Sequence, residues 1–530
     1  MEFPLILGLD SSTQSLTAVV VDRRSPSTPI THSISFSADP RLQKITFNRQ
    51  TMLLDAREPG EADQPPELFL DALELVFSDL KTQGVDWSKV GLVNISAQQH
   101  GHVYLSAGYE LVMKALKKGQ STDKSLASIL SSGWSYPRAP IWKTSNTSKA
   151  AATLRAAAGG SLEMIRLTGS DSPLRFTGAV VRKVLTEQPQ VWDETVKIHL
   201  LSSLIPSILT ANPDVEIDWG NASGTSWMDY QKRAWDSRLI RATAEGLPGG
   251  GQALASKIPA LAHPLTLAGT MCAWFVTKYG FSPEARVLIG SGDNPQTKVL
   301  YEGDLLSLGT SFVMMAGSGG TLVDERGWGN AMYDGAGRPF LFGCRTNGAL
   351  VWDQARRRAG WPERDFKIPE QALRDHLPGT VLALAQPDVE SFPPSSAFDL
   401  AIRENQDSGA TYAGLIDSGL GLLFAASRPW LNPDGGAMGI TGGAVASPSI
   451  VSRIAALWNR PIITLGTTGA ALGAAAAALE FDGEKTALLP SSAPVEPRPQ
   501  DVERYHRPGG YLEQLTSFWK ETIEKKGARA

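Results

Sequence analysis

Cysteine is almost absent: among 530 residues only Cys272 and Cys344 carry a thiol. Two thiols so far apart exclude a disulfide framework, and no Cys/His cluster has zinc spacing. This usage suits a reducing, cytoplasmic compartment. A basic leader is also missing. The chain opens MEFPLILGLD, with a short apolar run and no positive residue before it, which reads as an early core strand rather than a signal peptide. The apolar stretch 469–479 is Ala/Gly-rich and ends at Glu480, well short of a membrane span. Charge of one sign is not in excess either: 50 Lys and Arg face 54 Asp and Glu, for a net −4. That balance gives no electrostatic reason to expect nucleic acid or an anionic membrane as partner. Finally, no G-x-x-x-x-G-K-[ST], no G-x-G-x-x-G and no H-E-x-x-H is present. A protein of this sequence that uses ATP must cradle the phosphates by other means.

What is present is a long chain, 42% hydrophobic and 20% charged, which implies a globular protein of two or more domains. Strand-like and helix-like segments alternate, which favours an α/β class. Residues 5–9 and 16–21 form two apolar runs joined by Asp10-Ser11-Ser12-Thr13-Gln14-Ser15, the pattern of a hairpin with a hydroxyl-rich turn. A helix is expected over 68–80 and a buried strand over 90–96, running into Ala97-Gln98-Gln99-His100-Gly101. A similar opening recurs later. Residues 286–289 read as a strand entering Gly290-Ser291-Gly292-Asp293-Asn294, with a helix over 295–301. Then 304–308 and 312–316 are joined by Gly309-Thr310-Ser311. This weak internal echo of 5–21 suggests two domains of related build, 1–285 and 286–530. Further on, strands at 437–441 and 462–465 each lead through a Gly-rich turn into a helix, at 449–458 and 469–479. Residues 490–507 are Pro-rich and expected at the surface, followed by a terminal helix at 511–524.

Several loops carry groups able to do chemistry. Asp10 at a strand end, followed by Thr13 and Gln14, can hold a hydrated Mg²⁺ and contact phosphate; the same residues also suit a hairpin turn that satisfies its own backbone. Gly309-Thr310-Ser311 offers close backbone approach and hydroxyl donors. Asp293 lies between a strand end and a helix, so it reads either as an N-cap or as a general base, with Asn294 fixing the substrate. Phosphoryl transfer needs little more than that carboxylate, once the phosphates are held. Gln99 and His100 follow a buried strand, where open α/β sheets bind ligands, and a neutral imidazole there can bond a polyol or simply the backbone. Arg175, in Leu174-Arg175-Phe176-Thr177-Gly178, is a weaker sugar-binding candidate. Gly442-Gly443 suits close approach to a nucleotide or a tight turn, and Trp361 suits base stacking or packing.

The collinear series LGLDSSTQS, SAQQHGHVY, LTGSDSPLRFTG, IDWGNASGTSW, GSGDNPQ, LSLGTS, RTNGAL and ITGGA, spanning residues 3–480, resembles the FGGY carbohydrate kinases, most closely their eukaryotic-type xylulokinases. The resemblance implies two ribonuclease-H-like domains, as in actin and hexokinase, closing over a catalytic cleft. The first domain would bind sugar and the second ATP. It implies Asp293 as catalytic base and Gln99, His100, Arg175, Asp293 and Asn294 as ketose-binding residues. Asp10 would serve as the metal residue. ATP and its phosphates would meet Asp10, Thr13, Gln14, Gly309, Thr310, Ser311, Trp361, Gly442, Gly443 and Ser447. The expected reaction is phosphorylation of a ketopentose, D-xylulose to its 5-phosphate, with ATP and Mg²⁺. The alternatives are another sugar or polyol such as ribulose, or a sensor that keeps the fold without turnover. The partners implied are the sugar and ATP, without nucleic acid or membrane, and a homodimer is compatible with them. Two departures stand out. Ser447 replaces the usual Asn, and Lys143-Thr144 stands where many relatives carry an Asp after Trp142. Lys143 either favours an acidic sugar or points to solvent.

Overall fold

Strand Val90–Ala97 is buried at every position, the requirement for a strand covered on both faces. In this computed structural model, which describes residues 3–317, 323–363, 365–404, 407–432, 435–466, 469–484, 488–489 and 491–527, that strand is central to the first sheet. It runs parallel to Leu5–Ser11, which pairs antiparallel with Ser15–Asp22, itself antiparallel to Ile30–Ser35. On its other side Arg286–Leu288 joins in parallel, with Leu267–Thr270 antiparallel at the edge. Along Leu5–Ser11 alternate residues face opposite sides. Leu7 and Leu9 enter a buried cluster that also holds Leu73, Val76 and Phe77 of helix Pro66–Thr82.

Gly8 faces the other way, against helix Ala470–Phe481. A Cβ on Gly8 would lie 2.0 Å from the Ala471 carbonyl oxygen, and one on Gly473 would lie 1.9 Å from that of Gln296. The Ala/Gly composition that kept this segment from reading as a membrane span is therefore a packing requirement. Asn94 Nδ2 donates to Ala474 O across the same contact, at 3.0 Å.

The chain divides into two compact units: residues 1–300 with 331–339 and 469–488, and residues 301–330 with 340–468 and 489–530. The first division thus falls at 300/301, not at 285/286. Strand Arg286–Leu288 hydrogen-bonds onto Val90–Ala97, so Asp293 belongs to the first unit rather than to the head of the second. Helix Ala470–Phe481 likewise returns to the first unit.

In the second unit Leu305–Leu308 pairs antiparallel with Phe312–Gly317, which pairs antiparallel with Pro339–Arg345. On its other side Leu305–Leu308 runs parallel to Met438–Thr441, and that strand parallel to Ile462–Thr464. The sequence of pairings repeats that of Ile30–Ser35, Ser15–Asp22, Leu5–Ser11, Val90–Ala97 and Arg286–Leu288. The echo seen in the sequence is therefore a topological one, and each unit has the ribonuclease-H-like arrangement. Helix Ser408–Ser427 fills the second unit. Residues 408–430 are apolar and long enough to cross a membrane, yet 78% of the qualifying window is buried inside the protein. Within 490–507, Pro499 begins helix Pro499–His506, whose Tyr505 hydroxyl donates to buried Asp417 at 2.6 Å. Asp417 also pairs with buried Arg453 at 2.7 Å, so Tyr505 anchors the end of a segment whose residues 491–500 lie largely exposed, as expected.

Replacing Gly8 by Ala should lower the unfolding free energy by about 1–3 kcal/mol, because two backbones must separate to admit the methyl group. Chemical denaturation of the full chain measures this, and a variant as stable as wild type would refute the close contact.

Candidate active site

The two carboxylates of greatest interest stand at the ends of strands that both pair with Val90–Ala97. Asp10 is the penultimate residue of Leu5–Ser11 and stands opposite Ser96, whose hydroxyl donates to Asp10 Oδ1 at 2.7 Å. Burial raises the Asp10 pKa to about 6, partly opposed by that hydrogen bond. Ser291–Gly292 pairs with Ser96–Ala97, and helix Asp293–Val299 begins at once. Gly292 takes the N-cap position, with φ −72° and ψ 162°, so Asp293 is the first helical residue and not the cap. Its Oδ1 accepts from the Asn294 backbone N–H at 2.8 Å and from Asn294 Nδ2 at 3.0 Å. Burial, followed by the charge of nearby Asp10, raises its pKa to about 7.

Around this pair the first unit assembles the other expected sugar-binding side chains. Asn294 Nδ2 also donates to Gln99 Oε1 at 2.9 Å, and Gln99 Nε2 reaches Met332 Sδ at 3.7 Å. His100 holds a left-handed backbone, φ +67°, uncommon outside glycine and typical of residues aimed by their surroundings. Its ring stacks on Phe176 with centroids 4.7 Å apart. Its Nδ1 lies 3.0 Å from Gly224 O, so that nitrogen carries the proton and Nε2 is the acceptor. Burial, with Arg175 as the next cause, lowers its pKa to about 3, and the imidazole is neutral. A Cβ on Gly224 would lie 2.5 Å from His100 Cε1, which explains one glycine of IDWGNASGTSW. Sequence reasoning gave no role to Gly224, Ser96 or Met332. The first two stood in quoted motifs, whereas Met332 carried no signal because it reaches this unit from a distant segment.

The Asp10 turn behaves partly as an ordinary hairpin. Ser12 Oγ donates to Ser15 O at 2.9 Å, and Thr13 Oγ1 donates to Gln98 Oε1 at 3.0 Å while accepting from Trp142 Nε1 at 2.8 Å. Gln14 is exposed. Of the two unusual residues beside Trp142, Thr144 is buried with its hydroxyl donating to Ala62 O at 3.2 Å. Lys143 is exposed, its ammonium 5.6 Å from the centre of the Trp142 ring. Among the described residues no three His, Cys, Asp or Glu side chains converge as a metal site. Asp10 and Asp293 instead offer one or two hard oxygen ligands, the sparse protein coordination that a largely hydrated Mg²⁺ accepts.

The remaining candidates lie in the second unit. A cavity of about 950 Å³ is lined by Gly309, Thr310, Trp361, Tyr412, Gly443 and Ser447, among others. Trp361 meets Tyr412 edge-on at 5.3 Å between centroids. Gly442 stands behind the lining at φ +101°, where a Cβ would come within 2.3 Å of Leu308 O. Ser447 caps helix Pro448–Trp458, accepting from Ile450 N at 3.2 Å and donating to Glu370 Oε2 at 2.6 Å. Asn would cap equally well, which accounts for Ser in its place. Ser311 is not among the lining residues; its hydroxyl reaches Thr346 O at 3.5 Å.

Comparison with known proteins gives concordant results. Xylulose kinase 2 of Arabidopsis thaliana is 34% identical over 312 residues, which cover 58% of this chain and 53% of that protein. Xylulose kinase of Schizosaccharomyces pombe is 31% identical over 313 residues, 58% of this chain and 54% of that one. Among solved structures, gluconate kinase from Lactobacillus acidophilus superposes with a TM-score of 0.77 over 99% of both chains at 16% identity. The chain has the fold of these sugar kinases and is similar in sequence to the xylulose kinases. Xylulose kinase from Rhodospirillum rubrum has the same fold, with a TM-score of 0.77 over 98% of each chain at 18% identity. No family model matches this chain. It spans about half the length of the curated relatives it matches.

Folding raises the Asp10 and Asp293 pKa values from 3.8 to about 6 and about 7, so the folded chain binds more protons than the unfolded chain between them. Stability from these groups is therefore present at low pH and lost as pH rises through that window. Asp293→Asn should be more stable than wild type by about 1–3 kcal/mol at pH 8, with the gain vanishing towards pH 4. Denaturation at both pH values tests this; a variant less stable at pH 8 would contradict the uncompensated burial.

Proposed function

We propose that this protein transfers the γ-phosphate of ATP to a hydroxyl of a ketopentose, D-xylulose, forming D-xylulose 5-phosphate. The observation that carries the reading is the half-buried Asp293 carboxylate, with a pKa of about 7 and Oδ1 fixed by Asn294. A general base works best when its pKa lies near the working pH. The names of the curated relatives supply the sugar, and the first unit supplies donors and acceptors for it.

In this reading Asn294 and Gln99 present amide groups to the sugar, and neutral His100 accepts a hydroxyl hydrogen at Nε2. Asn294 holds Asp293 Oδ1, leaving Oδ2 to take the proton from the reacting hydroxyl. Asp10 would hold the metal. Mg²⁺, when bound, neutralises phosphate charge and offsets the mutual repulsion of the two carboxylates. The cavity of the second unit takes the nucleotide, with Trp361 and Tyr412 as aromatic wall and Gly309, Thr310 and Gly443 allowing close approach of the phosphates. Thr144 turned onto Ala62 O and Lys143 exposed take away the reason for preferring an acidic sugar. Both cysteines are free, which agrees with a cytoplasmic setting.

Coupled measurement of ADP release with D-xylulose, D-ribulose, D-gluconate and glycerol should give the largest kcat/KM for D-xylulose. A larger value for another compound would reassign the substrate. Calorimetric binding of sugar and ATP without turnover would make the protein a sensor. Asp293→Asn should lower kcat about 10²–10⁴-fold with little change in sugar affinity. For wild type, kcat/KM for the sugar should rise with pH and level off above about 7, as Asp293 loses its proton. A variant as fast as wild type would remove Asp293 from the chemistry.

A further inference from the structure

Residues 345–350, RTNGAL, have no role in the reaction as described, yet they press on the turn that faces the second unit's cavity. A Cβ on Gly348 would lie 2.6 Å from Thr310 O and 2.8 Å from Ser311 Cα. The Ala349 N–H donates to Gly309 O at 3.2 Å, and Ser311 Oγ reaches Thr346 O at 3.5 Å. Phe312 and Arg345 are partners in adjoining strands, so turn and loop leave the sheet side by side. The shape of Gly309-Thr310-Ser311 is therefore set by where residues 346–349 run.

That path is held by one side chain. Glu390, 2% exposed, accepts from the Thr346 N–H at 2.7 Å through Oε1 and from the Asn347 N–H and Nδ2 at 3.0 and 2.9 Å through Oε2. Oε1 also receives the N–H groups of Ser391 at 2.9 Å and Phe392 at 3.3 Å. Five N–H donors converge on it, so both oxygens must be acceptors; an amide would turn its own N–H₂ towards donors. The Arg345 guanidinium lies beside it, buried, with Nη1 3.7 Å from Glu390 Oε2 and without a hydrogen bond at Nε or Nη1. The charge of Glu390 is thus what makes a buried arginine tolerable at the base of the loop.

We infer that Glu390 is a positioning residue for the nucleotide phosphates: by clamping Thr346 and Asn347 it seats Gly348 against Thr310 and Ser311 and so fixes the turn at the cavity. The inference rests on the proposal that the cavity takes ATP. It is tested in the full chain with Glu390→Gln, which spoils the clamp, and Gly348→Ala, which pushes on the turn without touching the Arg345–Glu390 pair. Both should raise the KM for ATP and the calorimetric Kd for ATP about tenfold, the effect of losing roughly one well-placed hydrogen bond. The KM for D-xylulose should stay within about twofold. If Glu390→Gln does not fold, Gly348→Ala carries the test alone. Folded variants with wild-type ATP affinity, or with both KM values rising together, would overturn the inference. Wild-type protein that binds no ATP would instead remove the proposed function on which it rests.

Discussion

The contact between helix Ala470–Phe481 and the backbone at Gly8 and Gln296 sets the position of the first unit's candidate site. A helix from the far end of the chain lies so close to the strand that its Ala471 carbonyl occupies the space of a Gly8 side chain. Two residues beyond Gly8 is Asp10; three residues before Gln296 is Asp293. Gln296 also donates from Nε2 to Ile95 O at 3.0 Å, tying the helix of Asp293 to the strand beside Asp10. That packing contact backs the sheet in which pairing with Val90–Ala97 places carboxylates that are 283 positions apart in the numbering of the chain.

That arrangement works against stability. Each carboxylate loses water on folding and gains few hydrogen bonds in exchange, and each raises the free energy of the other's charged form. A core with apolar groups at these positions would be the more stable one. Keeping two acids there makes sense when a cation and a reacting hydroxyl are to occupy the site, because both relieve the strain that burial creates. The same economy shows at His100, where desolvation, stacking on Phe176 and the Gly224 carbonyl hold a neutral ring with one defined acceptor nitrogen.

The second unit solves a different problem with the same topology. Its cavity is walled by aromatic and small residues, and its polar groups are largely used in fixing backbone. Ser447 and Ser449 both donate to Glu370, and Glu390 gathers the N–H groups of two loops. The chain thus leaves carboxylates with few partners in one unit and uses carboxylates to fix backbone in the other.

Much of this was legible in the sequence. Local patterns implied the hairpin of residues 5–21, the wholly buried strand 90–96 and the second hairpin around 309–311, because turn chemistry and strand burial are written in neighbouring residues. The collinear motifs carried the resemblance to the FGGY kinases and singled out Asp293, His100 and Asn294 as candidates. Tertiary structure decided the rest. It assigned strand Arg286–Leu288, and with it Asp293, to the first unit, since strand pairing is a long-range choice that local pattern does not encode. It turned Asp293 from an apparent helix cap into the first helical residue behind Gly292. It also engaged the Thr13 hydroxyl with Gln98 and Trp142, and brought Met332 to Gln99 and Glu390 to residues 346–347. The residue types able to do chemistry were determined by the sequence alone; which of them share a site, and with what pKa, depended on burial and on contacts between segments hundreds of residues apart.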